Sequence, residues 1–95
     1  MPKAYWVAHS QVIDADQYRL YADQVPDIVK QYNGHFLARG GHHQQIEGQG
    51  KPRNIIIEFN TMQDALNCYH SDAYQKAKKA RENAGHVDIV IVEGL

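Results

Sequence analysis

Apolar and polar residues alternate in some stretches of this chain and recur at helical intervals in others, and the switches between the two periods divide it into six segments. Ala4 to Val12 is rich in aromatic and β-branched residues and holds no turn former. It predicts a strand with Trp6, Ala8 and Ser10 on one side and Tyr5, Val7, His9 and Gln11 on the other. Asp14 and Gln17 have the spacing of a capping box, and Tyr18, Tyr21, Ala22, Val25, Ile28, Val29 and Tyr32 follow at the intervals of one helix face. That helix is expected to end at Asn33-Gly34 and to kink or restart at Pro26, which has no N–H to offer the carbonyl of Ala22. His35 to Arg39 predicts a second strand, bent by a bulge at Gly40-Gly41 before it continues toward Glu47. Gly48 to Pro52 turns the chain, and Asn54 to Phe59 returns as a third strand antiparallel to the second. Thr61 and Asp64 cap a helix that should falter near Ser71, and Ser71-Asp72 cap a second piece that runs to about Asn83 before Gly85 stops it. Val87 to Glu93 supplies the last strand.

The order βαββαβ over residues 1–95 predicts one α+β domain of ferredoxin-like plan: a four-stranded antiparallel sheet with the helices on one face. Simple alternation puts Trp6, Ala8, Phe36, Ala38, Ile55, Ile57 and Phe59 on the helix side. It puts Tyr5, Val7, His9, Leu37, Arg39, Ile56 and Glu58 on the open side. That second face is too apolar to stay wet and too polar to be a plain core, so we expect a homodimer formed through it, with its polar side chains enclosed in an interior cavity.

Charge and composition narrow the function. The formal charge of −1 lacks the clustered excess of Lys and Arg that nucleic-acid and anionic-membrane binders carry. The βαββαβ order is also that of the RNA-recognition motif, but the third strand's open face here offers Asn54, Ile56 and Glu58, with no aromatic residue on which a base could stack. Cys68 is the single cysteine, which precludes an intrachain disulfide, and no Cys-His signature surrounds it. The start, Met1-Pro2-Lys3 leading straight into Ala4-Tyr5-Trp6, lacks the pattern of a signal peptide, and no apolar run is long enough to cross a bilayer, so the expected location is the cytoplasm.

The combination of Tyr5-Trp6-Val7-Ala8, Tyr32-Asn33-Gly34-His35-Phe36-Leu37-Ala38-Arg39-Gly40-Gly41, Ile57-Glu58-Phe59, Tyr69-His70-Ser71-Asp72-Ala73-Tyr74 and Val92-Glu93-Gly94 resembles the bacterial family called domain of unknown function 1330. The resemblance covers nearly the whole chain. It implies the dimeric α+β barrel fold, shared by antibiotic-biosynthesis-type monooxygenases, muconolactone isomerase-like proteins and haem-handling proteins, and it brings no settled activity with it.

An Arg and a Glu inside otherwise apolar strands are the strongest chemical signal, because a charge buried alone costs several kcal/mol or more. Arg39 could hold the carboxylate or oxyanion of a small organic acid or quinone-like molecule by a bidentate contact, His9 could move a proton near neutral pH, and Glu58 could orient Arg39 or a water. The competing reading is a structural Arg39–Glu58 ion pair with His9 merely hydrogen-bonded. Trp6, Tyr69 and Tyr74 are candidates for ligand contact, against the alternative of core residues with satisfied polar tips. His42-His43 would point to opposite faces of a strand and cannot easily chelate one ion, so no metal is expected, and no cofactor motif is present. Two function classes remain open: a cofactor-independent enzyme of the monooxygenase or isomerase kind, and a small-ligand binding or sensor module without turnover.

Overall fold

The computed structural model describes residues 2–95; Met1, and with it part of the expected chain start, lies outside the described residues. The elements are β1 (Ala4–Val12), α1 (Ala15–Ala22), α2 (Val25–Gln31), β2 (Gly34–Arg39), β3 (Arg53–Phe59), α3 (Met62–His70), α4 (Asp72–Lys79) and β4 (Gly85–Glu93). The strands form one sheet in the order β2-β3-β1-β4, antiparallel throughout, with the helices packed on one face.

Side chains start three of the helices. Asp14 accepts from the Gln17 amide at 3.1 Å, Thr61 from the Asp64 amide at 3.0 Å and Ser71 from the Tyr74 amide at 3.1 Å, each satisfying a donor that a helix N-terminus leaves orphaned. The expected restart at Pro26 is present: α1 stops at Ala22, and Pro26 lies in the first turn of α2, where its missing N–H costs no helical bond. At Asn33-Gly34 the two residues divide the work. Asn33 takes the left-handed conformation (φ +64°), while a Cβ on Gly34 would lie 2.6 Å from the Phe59 ring and 2.8 Å from Val29.

Trp6 is the centre of the core. It is 2% exposed, donates from Nε1 to the Ala65 carbonyl at 3.1 Å, and meets the rings of Phe59, Tyr69 and Tyr74 at centroid distances of 5.4, 6.0 and 5.1 Å. The buried hydroxyls pair with one another: Tyr18 Oη with Ser10 Oγ at 3.3 Å, and the Tyr21 and Tyr74 hydroxyls with each other at 2.7 Å.

The second strand departs from simple alternation. Phe36 pairs with Ile57 and Ala38 with Ile56, so Leu37 is an extra residue, and Arg39 comes opposite Ile55. The bulge therefore lies at Leu37, ahead of the expected Gly40-Gly41, and it reverses the facing of everything after it. Ala38 moves to the open face and Arg39 to the helix face, the opposite of what uninterrupted alternation predicts. The strand also stops at Arg39 and does not continue toward Glu47. Gly40 turns the chain with φ +68°, its amide donates to the Asn54 carbonyl at 2.8 Å, and residues 40–52 contain no strand.

Candidate active-site cleft

Between α1 and the sheet runs a cleft with a floor of Trp6, Ala8, Ile55 and Ile57 and a wall of Tyr18, Tyr21 and Phe36. It occupies about 440 Å³ including its open mouth, with enclosed room of about 30 Å³, enough for one or two waters. The cleft exists because α2 and α3 lie close against the strands while α1 stands off them. Two guanidinium groups flank it. Arg39 lies over the Phe36 ring at 5.0 Å, and Arg53 lies over the Tyr18 ring at 5.8 Å.

Arg39 owes its position to two features of the backbone. The bulge at Leu37 turns it to the helix side. Pro26 then leaves the Ala22 carbonyl without its helical donor, and Arg39 Nη2 donates to that oxygen at 3.3 Å. Arg53 is held beside it because Gly40 has no side chain; a Cβ there would sit 3.1 Å from Arg53 Nε. Among the described residues neither guanidinium forms an ion pair with a carboxylate. The cleft is thus an apolar, largely aromatic slot with uncompensated positive charge at its rim.

The sequence-predicted trio is not brought together. Arg39 lines the cleft, while His9 and Glu58 lie on the open face in separate clusters. Glu58 receives Lys3 Nζ at 3.1 Å, Tyr5 Oη at 3.2 Å and His35 Nε2 at 3.2 Å, and its side chain is 16% exposed. The Lys3 hydrogen bond, helped by its charge and by Tyr5 and His35, holds the Glu58 carboxyl below its ordinary range. His9 Nε2 lies 3.1 Å from Asp88 Oδ2, which Lys51 also contacts; Lys51 first, then His9, holds Asp88 low. An Arg39–Glu58 pair across the hairpin is therefore excluded by the register, whichever role each residue has.

Of the aromatic candidates, Trp6 reaches the cleft floor, Tyr74 is fully buried behind Tyr21, and Tyr69 faces a different cavity beside β4. Burial, then the neighbouring Tyr74, pushes the Tyr21 hydroxyl well above the usual phenol range. Cys68 is fully buried, and desolvation raises its thiol to about 12, so it is no nucleophile. Arg53 was not singled out by sequence, although its even spacing from Ile55 and Ile57 places it on the same strand face as those core residues.

A four-stranded antiparallel sheet in the order β2-β3-β1-β4, with all helices on one side, defines a ferredoxin-like α+β fold. The family described as Domain of unknown function (DUF1330) matches residues 3–95, and the chain belongs to it. No curated protein matches the sequence. Among solved structures, a protein of unknown function from Rhodopseudomonas palustris is similar with a TM-score of 0.77 at 13% identity, over 99% of this chain and 83% of that one. SnoaB, a cofactor-independent oxygenase from Streptomyces nogalater, is similar with a TM-score of 0.65 at 6% identity, over 100% and 95% of the two chains. A dimeric protein of unknown function with a ferredoxin-like fold from Bacteroides fragilis NCTC 9343 gives 0.56 at 8% identity, over 97% and 96%. At these identities the likeness is one of fold. No helix among the described residues is long and apolar enough to cross a membrane.

Proposed function

We propose that this protein is a homodimer that binds a small, flat organic anion, an aromatic acid or a quinone-like phenolate, in the cleft under α1, in the cytoplasm. The observation that carries the reading is the pair Arg39 and Arg53, which flank an aromatic slot with no carboxylate to neutralise them. The ring of such a ligand would lie against Trp6, Tyr21 and Phe36, and its charge would meet the guanidiniums, which suit planar anions by their fork geometry. Entry requires α1 to swing further from the sheet or its side chains to shift, since the enclosed room is only about 30 Å³.

Dimerisation uses the open face. Val7, Leu37, Ile56, Val90 and Val92 are 40%, 54%, 36%, 58% and 47% exposed there, a concentration of aliphatic side chains that a second copy would cover. The charges between them are already paired, Glu58 with Lys3 and Asp88 with Lys51, so covering them buries no lone charge.

Turnover is the second reading, favoured by the same two arginines. Uncompensated positive charge beside a bound phenol would stabilise its phenolate, and an electron-rich anion of that kind can react with dioxygen without a cofactor, the chemistry class printed for SnoaB. In this reading Arg39 supplies electrostatic stabilisation, and His9 and Glu58 take no part in the cleft's chemistry.

Thermal-shift titration with hydroxyaromatic acids and quinones, followed by analysis of the ligand and of oxygen uptake, tests both. A ligand present at about 100 times its Kd should stabilise the fold by about 2.7 kcal/mol. Arg39→Gln and Arg53→Gln should each abolish that shift. Recovery of the ligand unchanged supports binding alone, and oxygen uptake with an oxidised product supports turnover. A panel that stabilises neither wild type nor variant would overturn the assignment of the cleft.

A further inference from the structure

A second cleft lies along the outer strand β4, bounded by α3 and the end of α4. Met62 and Leu66 on α3 and Ile89 and Ile91 on β4 give it an aliphatic lining, and Lys78 and Arg81 stand at its polar side. Its open space is about 650 Å³, within the range of roughly 300–1,000 Å³ typical of small-molecule sites.

The two cations are held by aromatic groups and not by acids. Lys78 Nζ donates to Tyr69 Oη at 3.0 Å and lies 5.4 Å from that ring's centroid. The Arg81 guanidinium lies 4.9 Å over the Tyr21 ring, and its Nε is buried without a hydrogen-bond partner. The acidic group at the rim is Asp88, and its carboxylate is already engaged by Lys51 and His9. A buried guanidinium nitrogen with no acceptor is a feature that native structures rarely leave unexplained. Two uncompensated cations beside an aliphatic trough define a ligand with an anionic head and an aliphatic tail.

We infer that this cleft binds an amphipathic carboxylate, its head between Lys78 and Arg81 and its medium-length alkyl chain along β4 and α3. The contrast with the α1 cleft is one of lining: four rings, Trp6, Tyr18, Tyr21 and Phe36, border that slot, whereas Tyr69 is the one ring in this cleft, which Met62, Leu66, Ile89 and Ile91 otherwise line with aliphatic groups that suit a chain. The two clefts share Val87 and Ile89 on β4 but take their other lining residues from different helices, and this inference does not rest on the function proposed for the α1 cleft.

Calorimetric and amide-shift titrations of the full chain with octanoate test it, with 1-octanol as the uncharged control and benzoate as a flat competitor. Expected are saturable octanoate binding, shifts centred on Leu66, Ile89 and Ile91, and affinity for octanol lower by about tenfold, the worth of one charge-assisted contact. Lys78→Met should weaken octanoate by about the same factor, and Leu66→Trp should fill the trough and abolish binding. Should Leu66→Trp fail to fold by circular dichroism, Lys78→Met, at a partly exposed position, decides alone. Octanoate binding unaltered in the presence of saturating benzoate supports a separate site. Absence of saturable octanoate binding, equal affinity for octanol, an unaltered Lys78→Met, or displacement by benzoate would each overturn the inference.

Discussion

The two faces of the sheet are cut from the same strands in alternation, yet they settle their polar atoms by different chemistry. On the helix side the enclosed hydroxyls and the indole are neutral and pair locally, the Trp6 indole with a carbonyl, Tyr18 with Ser10, Tyr21 with Tyr74, while the charges there, Arg39 and Arg53, stand at the rim. On the open side the carboxylates pair with lysines, Glu58 with Lys3 and Asp88 with Lys51, and His35 and His9 lie within hydrogen-bond distance of them. Neutral hydrogen bonds can be enclosed at little cost, whereas ion pairs tolerate enclosure only when every member keeps its partner. The centre of the helix face is therefore packed and paired within one chain. On the open face Val7, Ile56 and Val90 stand exposed between the ion pairs, the feature on which the proposed dimer rests.

Neighbouring residues on β3 give the harshest way to break that contrast. Ile57→Glu puts a carboxylate into the helix-side core, where Ile57 is 2% exposed, and should cost about 4 kcal/mol or more in urea unfolding. Ile56→Glu, one position along, should leave the monomer's stability within about 0.5 kcal/mol while halving the mass seen by light scattering. If both variants unfold alike, the two faces are not distinct. Gly34→Ala tests the core from the backbone side: its new methyl meets Phe59 and Val29, and we expect about 1–3 kcal/mol of destabilisation.

Deleting Leu37 sharpens the comparison at the one place where a strand changes its facing. Without the extra residue Phe36, Ala38 and Arg39 keep their pairing with Ile57, Ile56 and Ile55, so the fold should lose about 1 kcal/mol or less. Ligand stabilisation through Arg39 should survive, and its loss would show that the bulge does more than set the register.

The smallest effect concerns acid. Glu58 and Asp88 titrate below their ordinary values of 4.5 and 3.8, so they contribute stability above those values that is lost as pH falls through their folded-state pKa values. Glu58→Gln should flatten the decline of the urea midpoint as pH falls below 4.5, the ordinary value of that carboxyl, and change little at neutral pH. An unchanged acid limb would remove Glu58 from the open face's electrostatics.

Much of the fold was legible because its signals are local. Asp14, Thr61 and Ser71 announce helix starts by spacing alone, and Pro26 announces the break, since each acts on amides within one turn. The bulge at Leu37 has no such mark. Gly40-Gly41 attracted the prediction because glycine relieves strain, but the extra residue sits where Arg39 gains Phe36 and the Ala22 carbonyl, a tertiary gain invisible in a single strand. One unseen residue reversed Arg39 and dissolved the predicted grouping with His9 and Glu58. The partner it has in the cleft, Arg53, was concealed for the opposite reason: strand alternation places it correctly, yet it stands at the strand's first position beside a turn and reads as a solvated end.

Trp6 is the chain's single tryptophan, fixed between the floor of the α1 cleft and the rings of Tyr69 and Tyr74. The protein thereby carries its own optical probe. Excited tyrosines in the core can pass energy to one emitter, and a flat ligand entering under α1 would quench it at contact range. The open face holds no indole, so association of two copies would leave that emission nearly silent, and filling the cleft and pairing of subunits can be followed as separate signals without a label.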